Sequence, residues 1–217
     1  TYIKEEIVAE QVVRKIPPFL RFLPALGQMN GEIVNYSRMA HDAGVDDMTV
    51  RNYFSILEDT LIGFPLEPYH RSIRKRQRES SKFYLFDTGV ARSLQGMATA
   101  PLVEGSSAFG KAFEHFIILE IRRRSDYLGK EWRYSYLRTS SESAEIDLII
   151  ERPGEKTVLL EIKSSTSVPD TEIHKLQSFK NDFQNAEALI FCRETLPRKQ
   201  GDVTLFPWSQ GLKSLGI

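Results

Sequence analysis

Two carboxylates and an amine stand at short spacing in the second half of the chain: Asp147 in AEIDLII, and Glu161 with Lys163 in VLLEIKSS. Along a strand, side chains alternate between faces, so Glu161 and Lys163 share one face about 7 Å apart. On the other strand the same alternation sets Glu145, Asp147 and Ile149 against Ile146, Leu148 and Ile150. Pro153 and Gly154 in RPGEK are turn residues that join the two strands as an antiparallel hairpin, bringing Asp147 beside Glu161. A third carboxylate, Glu114, falls inside the apolar arc of a helix expected from Phe109 to about Asp126, among Phe113, Phe116, Ile117, Ile118 and Ile121. That helix is expected to pack over the Asp147–Glu161 face.

Desolvation neutralises a lone buried carboxylate, so three converging ones call for a cation. Mg²⁺ or Mn²⁺ suits oxygen ligands. Such an ion polarises a phosphoryl oxygen and acidifies a bound water. Lys163 would orient that water or offset charge in the transition state. The chemistry that fits is phosphodiester hydrolysis, with Glu114, Asp147 and Glu161 as metal ligands and Lys163 as the catalytic amine. Taken singly, each of these residues reads as a surface salt-bridge charge; the ordered set points to a metal site.

Other candidates carry less. GSSAFGKAFEH spaces Gly105, Gly110 and Lys111 as a phosphate-binding loop does, but Ala112 replaces the hydroxyl that holds magnesium, and no strand precedes it. Gly110 and Lys111 are read as the start of a helix. Cys192 lies in the apolar run EALIFCRE, which suits a buried, inert thiol and a reducing cytoplasm. His174 reads as an exposed helix residue, and no Ser-His-Asp or Cys-His arrangement emerges around it or His115.

Positioning these groups requires a mixed α/β fold. The chain of 217 residues, 41% hydrophobic, divides near Ser93–Ser107 into halves at 1–98 and 99–217. The second half reads as helix, three strands, helix, strand: an α-β-β-β-α-β core. The first half opens with a helix over Thr1 to Ile16, stopped by Pro17 and Pro18. Two short helices around Gly44 then form a helix-turn-helix, and strands in LIGFPLEPYH and SKFYLFDTG complete a winged-helix-like domain. Between those strands lie Arg71, Arg74, Lys75, Arg76 and Arg78, a basic segment suited to a nucleic-acid backbone. Asp46 and Asp47, at the start of the second helix, suit N-capping and oppose entry into a DNA groove. Asp87 and Thr88 are expected to cap a further helix.

FGKAFEH, AEIDLII and LEIKSS resemble the helix Glu, the Asp and the Glu-x-Lys of the PD-(D/E)xK nuclease superfamily. More closely, ILEDTLIGFPLEPY, KFYLFDTGVARSL and FEHFIILEI are similar to the C-terminal region (domain of unknown function 4143) of predicted prokaryotic AAA-type ATPases, from about residue 30 to about residue 195. The resemblance implies a winged helix followed by a restriction-endonuclease-like fold. It carries over Glu114, Asp147, Glu161 and Lys163, and an ATPase domain that normally precedes the segment. The N-terminal Thr and immediate helical pattern fit a piece of a longer polypeptide. No Walker motif occurs here, so ATP hydrolysis is not expected of this chain.

Lys plus Arg and Asp plus Glu are each 29, so net charge favours no partner. No apolar run reaches the roughly 18 residues of a membrane span. The expectation is a cytoplasmic, Mg²⁺- or Mn²⁺-dependent nuclease acting on DNA. The rival expectation is a non-catalytic module that binds nucleic acid or protein and regulates an attached AAA-type ATPase.

Overall fold

The computed structural model describes residues 16–70, 80–138 and 145–217, in two compact units. The expected Thr1–Ile16 helix and the basic residues Arg71, Arg74, Lys75, Arg76 and Arg78 lie outside the described residues.

In the first unit, helix α1 (Ile16–Met29) begins at the Pro17–Pro18 pair where a stop was expected. Proline is tolerated in a first helical turn, whose N–H groups lack intrahelical acceptors anyway, so the two prolines open this helix. Helix α2 (Tyr36–Ala43) is capped by Asn35, whose side chain accepts from the Arg38 N–H, and ends at Gly44 in the left-handed region (φ 68°). Helix α3 (Asp47–Asp59) follows, capped by Asp46, which accepts from the Thr49 N–H at 2.7 Å. Strands β1 (Gly63–Pro68) and β2 (Lys82–Leu85) pair antiparallel from Gly63–Leu85 to Leu66–Lys82. Helix α4 (Thr88–Leu94) starts from Asp87, which caps it through the Val90 N–H as the sequence suggests. Aromatic edges hold the core: Phe22 meets Phe54 at 5.4 Å and Phe54 meets Phe83 at 4.8 Å between ring centres.

The second unit carries the candidate chemistry. Helix α5 (Ser107–Tyr127) is followed by β3 (Arg133–Arg138), β4 (Glu145–Glu151), β5 (Thr157–Ile162), α6 (Asp170–Asn181) and β6 (Ala186–Cys192). A hairpin of β7 (Arg198–Gln200) and β8 (Val203–Pro207), then α7 (Trp208–Ser214), complete it. Strands β3, β4 and β5 run antiparallel in sequence; β5, β6 and β8 are parallel neighbours, with β7 outermost. The fold is therefore mixed α/β, with a helical N-terminal part and a sheet-dominated C-terminal part.

Helices cover both faces of this sheet. Ile173, Leu176 and Phe179 of α6 pack with Ile146, Ile149, Leu159, Ile190 and Cys192. Alternation sends Ser164 to the other face, where Gly110 of α5 lies against it. There Phe116 of α5 also meets Trp208 edge-on, with ring centres 5.3 Å apart. Gly211 of α7 lies directly on the fully buried ring of Phe191, leaving no room for a Cβ. Gly211→Ala is therefore expected to destabilise the protein by about 1–3 kcal/mol, as overpacking of a core does, read as a lower denaturation midpoint at unchanged slope.

Candidate functional site

The hairpin of β4 and β5 sets the site. Its turn passes through Gly154 in the left-handed region (φ 77°) and is closed by the buried Arg152, which donates two hydrogen bonds to the Lys156 carbonyl, at 2.7 and 3.0 Å. The resulting register pairs Ile150 with Val158, Ile149 with Leu159 and Leu148 with Leu160. The ladder ends there, one residue short of Asp147 and Glu161, which lie near enough for the Asp147 charge to act on the Glu161 carboxyl.

Strand β4 does not alternate regularly, however. Ser135 pairs with Ile149 but Leu137 with Ile146, so Tyr136 of β3 faces two residues of β4, Asp147 and Leu148. This bulge returns Ile146 to the same core as Ile149, where simple alternation had placed them apart. It also frees the Asp147 side chain, whose Oδ2 accepts the backbone N–H of Ile162 at 2.7 Å. A side-chain carboxylate thus takes the place of a ladder carbonyl at the point where Glu161 and Lys163 project.

Asp147 and Glu161 are buried, at 9% and 5% exposure. Lys163 Nζ lies 2.8 Å from Glu161 Oε1 and 2.8 Å from Oε2 of Glu172 on α6. Burial, and then the Asp147 charge, push the Glu161 carboxyl up to about 8, against the opposing pull of Lys163 and Lys175. Burial alone would lower Lys163; the Glu161 charge and its bonds to Glu161 and Glu172 outweigh that and hold the ammonium above its ordinary range. The Lys163 bond, against a smaller desolvation penalty, lowers Glu172.

The structure therefore brings Asp147, Glu161 and Lys163 together. The face of Glu161 and Lys163 is covered by α6, where α5 had been expected. Glu114 sits on α5 one helical turn beyond Gly110, half-buried, and helical spacing puts it between Ile118 and Ile121 inside the arc formed by His115, Ile117, Ile118, Leu119 and Ile121, as expected. Among the described residues, no three His, Cys, Asp or Glu side chains gather as a metal-holding group. Two buried carboxylates, Asp147 and Glu161, do lie close enough to feel one another, and two suffice for Mg²⁺, which commonly keeps several waters. On that chemistry Asp147 and Glu161 fit a hard divalent cation.

Glu172 escaped the sequence reading. An acid in the first turn of a helix already has a sufficient reason in the helix dipole, and its distance from Lys163 depends on the loop Ser164–Pro169. Cys192 is fully buried, its Sγ 3.4 Å from the Phe206 carbonyl, as its apolar run suggested. The loop-like GSSAFGK stretch has no strand before it, and α5 simply begins at Ser107.

Residues 109–210 match the family described as Domain of unknown function (DUF4143). Residues 1–100 match a different one, Domain of unknown function (DUF8612), so the first likeness is confined to the second half. The chain is 31% identical over 165 residues to the uncharacterized protein Rv2008c of Mycobacterium tuberculosis and, equally, to the uncharacterized protein Mb2031c of Mycobacterium bovis. That alignment takes in 76% of this chain and 36% of each relative, so the chain spans about a third of the length of the curated relatives it matches. No solved structure matches it. Among the described residues, no helix is long and apolar enough to cross a membrane.

The raised Glu161 carboxyl has a consequence for stability. The folded state holds that proton more tightly than the unfolded chain, whose ordinary value is 4.5. Its favourable contribution is complete below 4.5 and is lost as pH rises through about 8. Glu161→Gln removes the titration, so the melting temperature of the variant relative to the parent should climb between about pH 5 and about pH 8.5. A difference that stays level across that window contradicts the electrostatic picture.

Proposed function

We propose that this chain is a divalent-metal-dependent nuclease, acting on nucleic acid and in the first instance on DNA. Its centre comprises Asp147, Glu161 and Lys163. The observation that carries the reading is the burial of two neighbouring carboxylates on adjoining strands, an arrangement that a hard cation would relieve. Mg²⁺ or Mn²⁺ held there would polarise a phosphoryl oxygen and acidify a water.

The chain's own groups have defined tasks in this reading. The Ile162 N–H fixes the Asp147 carboxylate toward Glu161. Lys163, held in its charged form by its carboxylate neighbours, serves as a cation and hydrogen-bond donor toward phosphate oxygens or water, not as a base. The order α5, β3, β4, β5, α6, β6 agrees with a restriction-endonuclease-like core, and α2, α3, β1, β2 with a winged helix. Arg71, Arg74, Lys75, Arg76 and Arg78 would contact the phosphate backbone without reading sequence. Arg51 in α3 stacks on the Tyr36 ring at 3.9 Å, and Asp46 and Asp47 lie at the helix start, so α3 is the weaker candidate for reading bases. The lone buried Cys192 suits a cytoplasmic setting.

A second reading draws on the length of the relatives. A segment covering 36% of a longer protein suits an accessory module that regulates an attached AAA-type ATPase, binding nucleic acid or protein without cutting. Incubation with duplex, branched and single-stranded DNA in Mg²⁺ or Mn²⁺ separates the two. The nuclease reading expects metal-dependent cleavage that Glu161→Ala and Lys163→Ala each lower by about 100-fold or more. Cleavage equal in these variants, or none on any substrate while ATP turnover of the longer chain depends on this segment, favours the module.

A further inference from the structure

Lys163 is shared between two unlike acids. Glu161 lies beneath it on β5 with its side chain 7% exposed, whereas Glu172 reaches it from α6 and, like Lys163 itself, is 30% exposed. Ile173 and Leu176, beside Glu172 on α6, are fully or almost fully buried, so core packing fixes the backbone that carries Glu172. A lysine ammonium is a point charge on a flexible four-carbon stem, with three donors and no preferred fork geometry. One carboxylate would leave it free to settle wholly on that partner. A second, held at the same 2.8 Å by a rigid helix, divides the attraction and fixes the amine between them.

Resting on the metal reading above, we propose that Glu172 is a positioning residue: it draws the Lys163 ammonium partly away from Glu161, so that Glu161 with Asp147 remains available to a divalent cation while the amine stays beside them. Glu172 acts through Lys163 and does not itself join the cation. Among the described residues, Asp147, Glu161 and Glu172 do not form a three-acid group that could hold a metal. Without Glu172, Lys163 falls entirely to Glu161 and competes with the metal for its carboxylate.

The test is calorimetric titration of the purified chain with Mn²⁺ alone, without nucleic acid, on four proteins: the parent, Glu172→Gln, Lys163→Met and the double variant. Glu172→Gln keeps the side-chain length, Lys163→Met shortens it by one atom, both alter partly exposed positions, and circular dichroism checks the fold of each. Glu172→Gln is expected to weaken Mn²⁺ binding by about 10- to 100-fold, the usual scale for residues that orient a metal ligand. In the Lys163→Met background the same change should have less than about a twofold effect, because the residue through which it acts is gone. An equal loss in both backgrounds, or no loss in either, overturns the proposal and leaves the metal reading standing. A parent protein that binds no Mn²⁺ overturns the metal reading and this inference together.

Discussion

Glu161 presents a carboxylate that water scarcely reaches, with the Asp147 charge nearby on the adjoining strand and one ammonium alongside. Two like charges and one opposite charge in a poorly solvated place do not balance. The chain relieves part of the excess by holding the Glu161 proton far above the ordinary carboxyl range, and part through Lys163. The surrounding second unit imposes this arrangement: the hairpin joins the strands of the two acids, the Ile162 N–H holds Asp147 at β5, and α6 brings Glu172 to the ammonium.

None of those devices is a site by itself. Arg152 closes the turn through the Lys156 carbonyl, the Ile162 N–H fixes Asp147, and Glu172 arrives from a helix anchored by Ile173 and Leu176. A centre assembled on strands and a packed helix is held more closely than one built on loops. The end of β5, where Glu161 and Lys163 project, is also where parallel β5 and β6 leave the sheet, a usual position for ligands in α/β folds.

Much of this was legible in the sequence because it rests on local rules. The turn at Pro153–Gly154 suffices to join β4 and β5 as an antiparallel hairpin, which brings the strands of Asp147 and Glu161 together. Asp87 and Asp46 announced their helices through cap chemistry. The illegible parts depend on contacts distant in sequence. The bulge at Asp147–Leu148 arises from pairing with Tyr136, and nothing within AEIDLII marks it. The helix over the Glu161 face is α6, since parallel pairing of β5 with β6 puts the connecting helix there, and apolar periodicity in α5 does not say which face it covers. Pro17 and Pro18 were expected only to stop a helix, but proline also suits a first helical turn, and α1 carries both there.

The most direct measurement is anomalous diffraction from crystals of this chain soaked in Mn²⁺. The account predicts a peak between the carboxylates of Asp147 and Glu161, with Lys163 still beside Glu172. A soaked crystal with no peak at that position, or with Mn²⁺ bound only elsewhere, would contradict it.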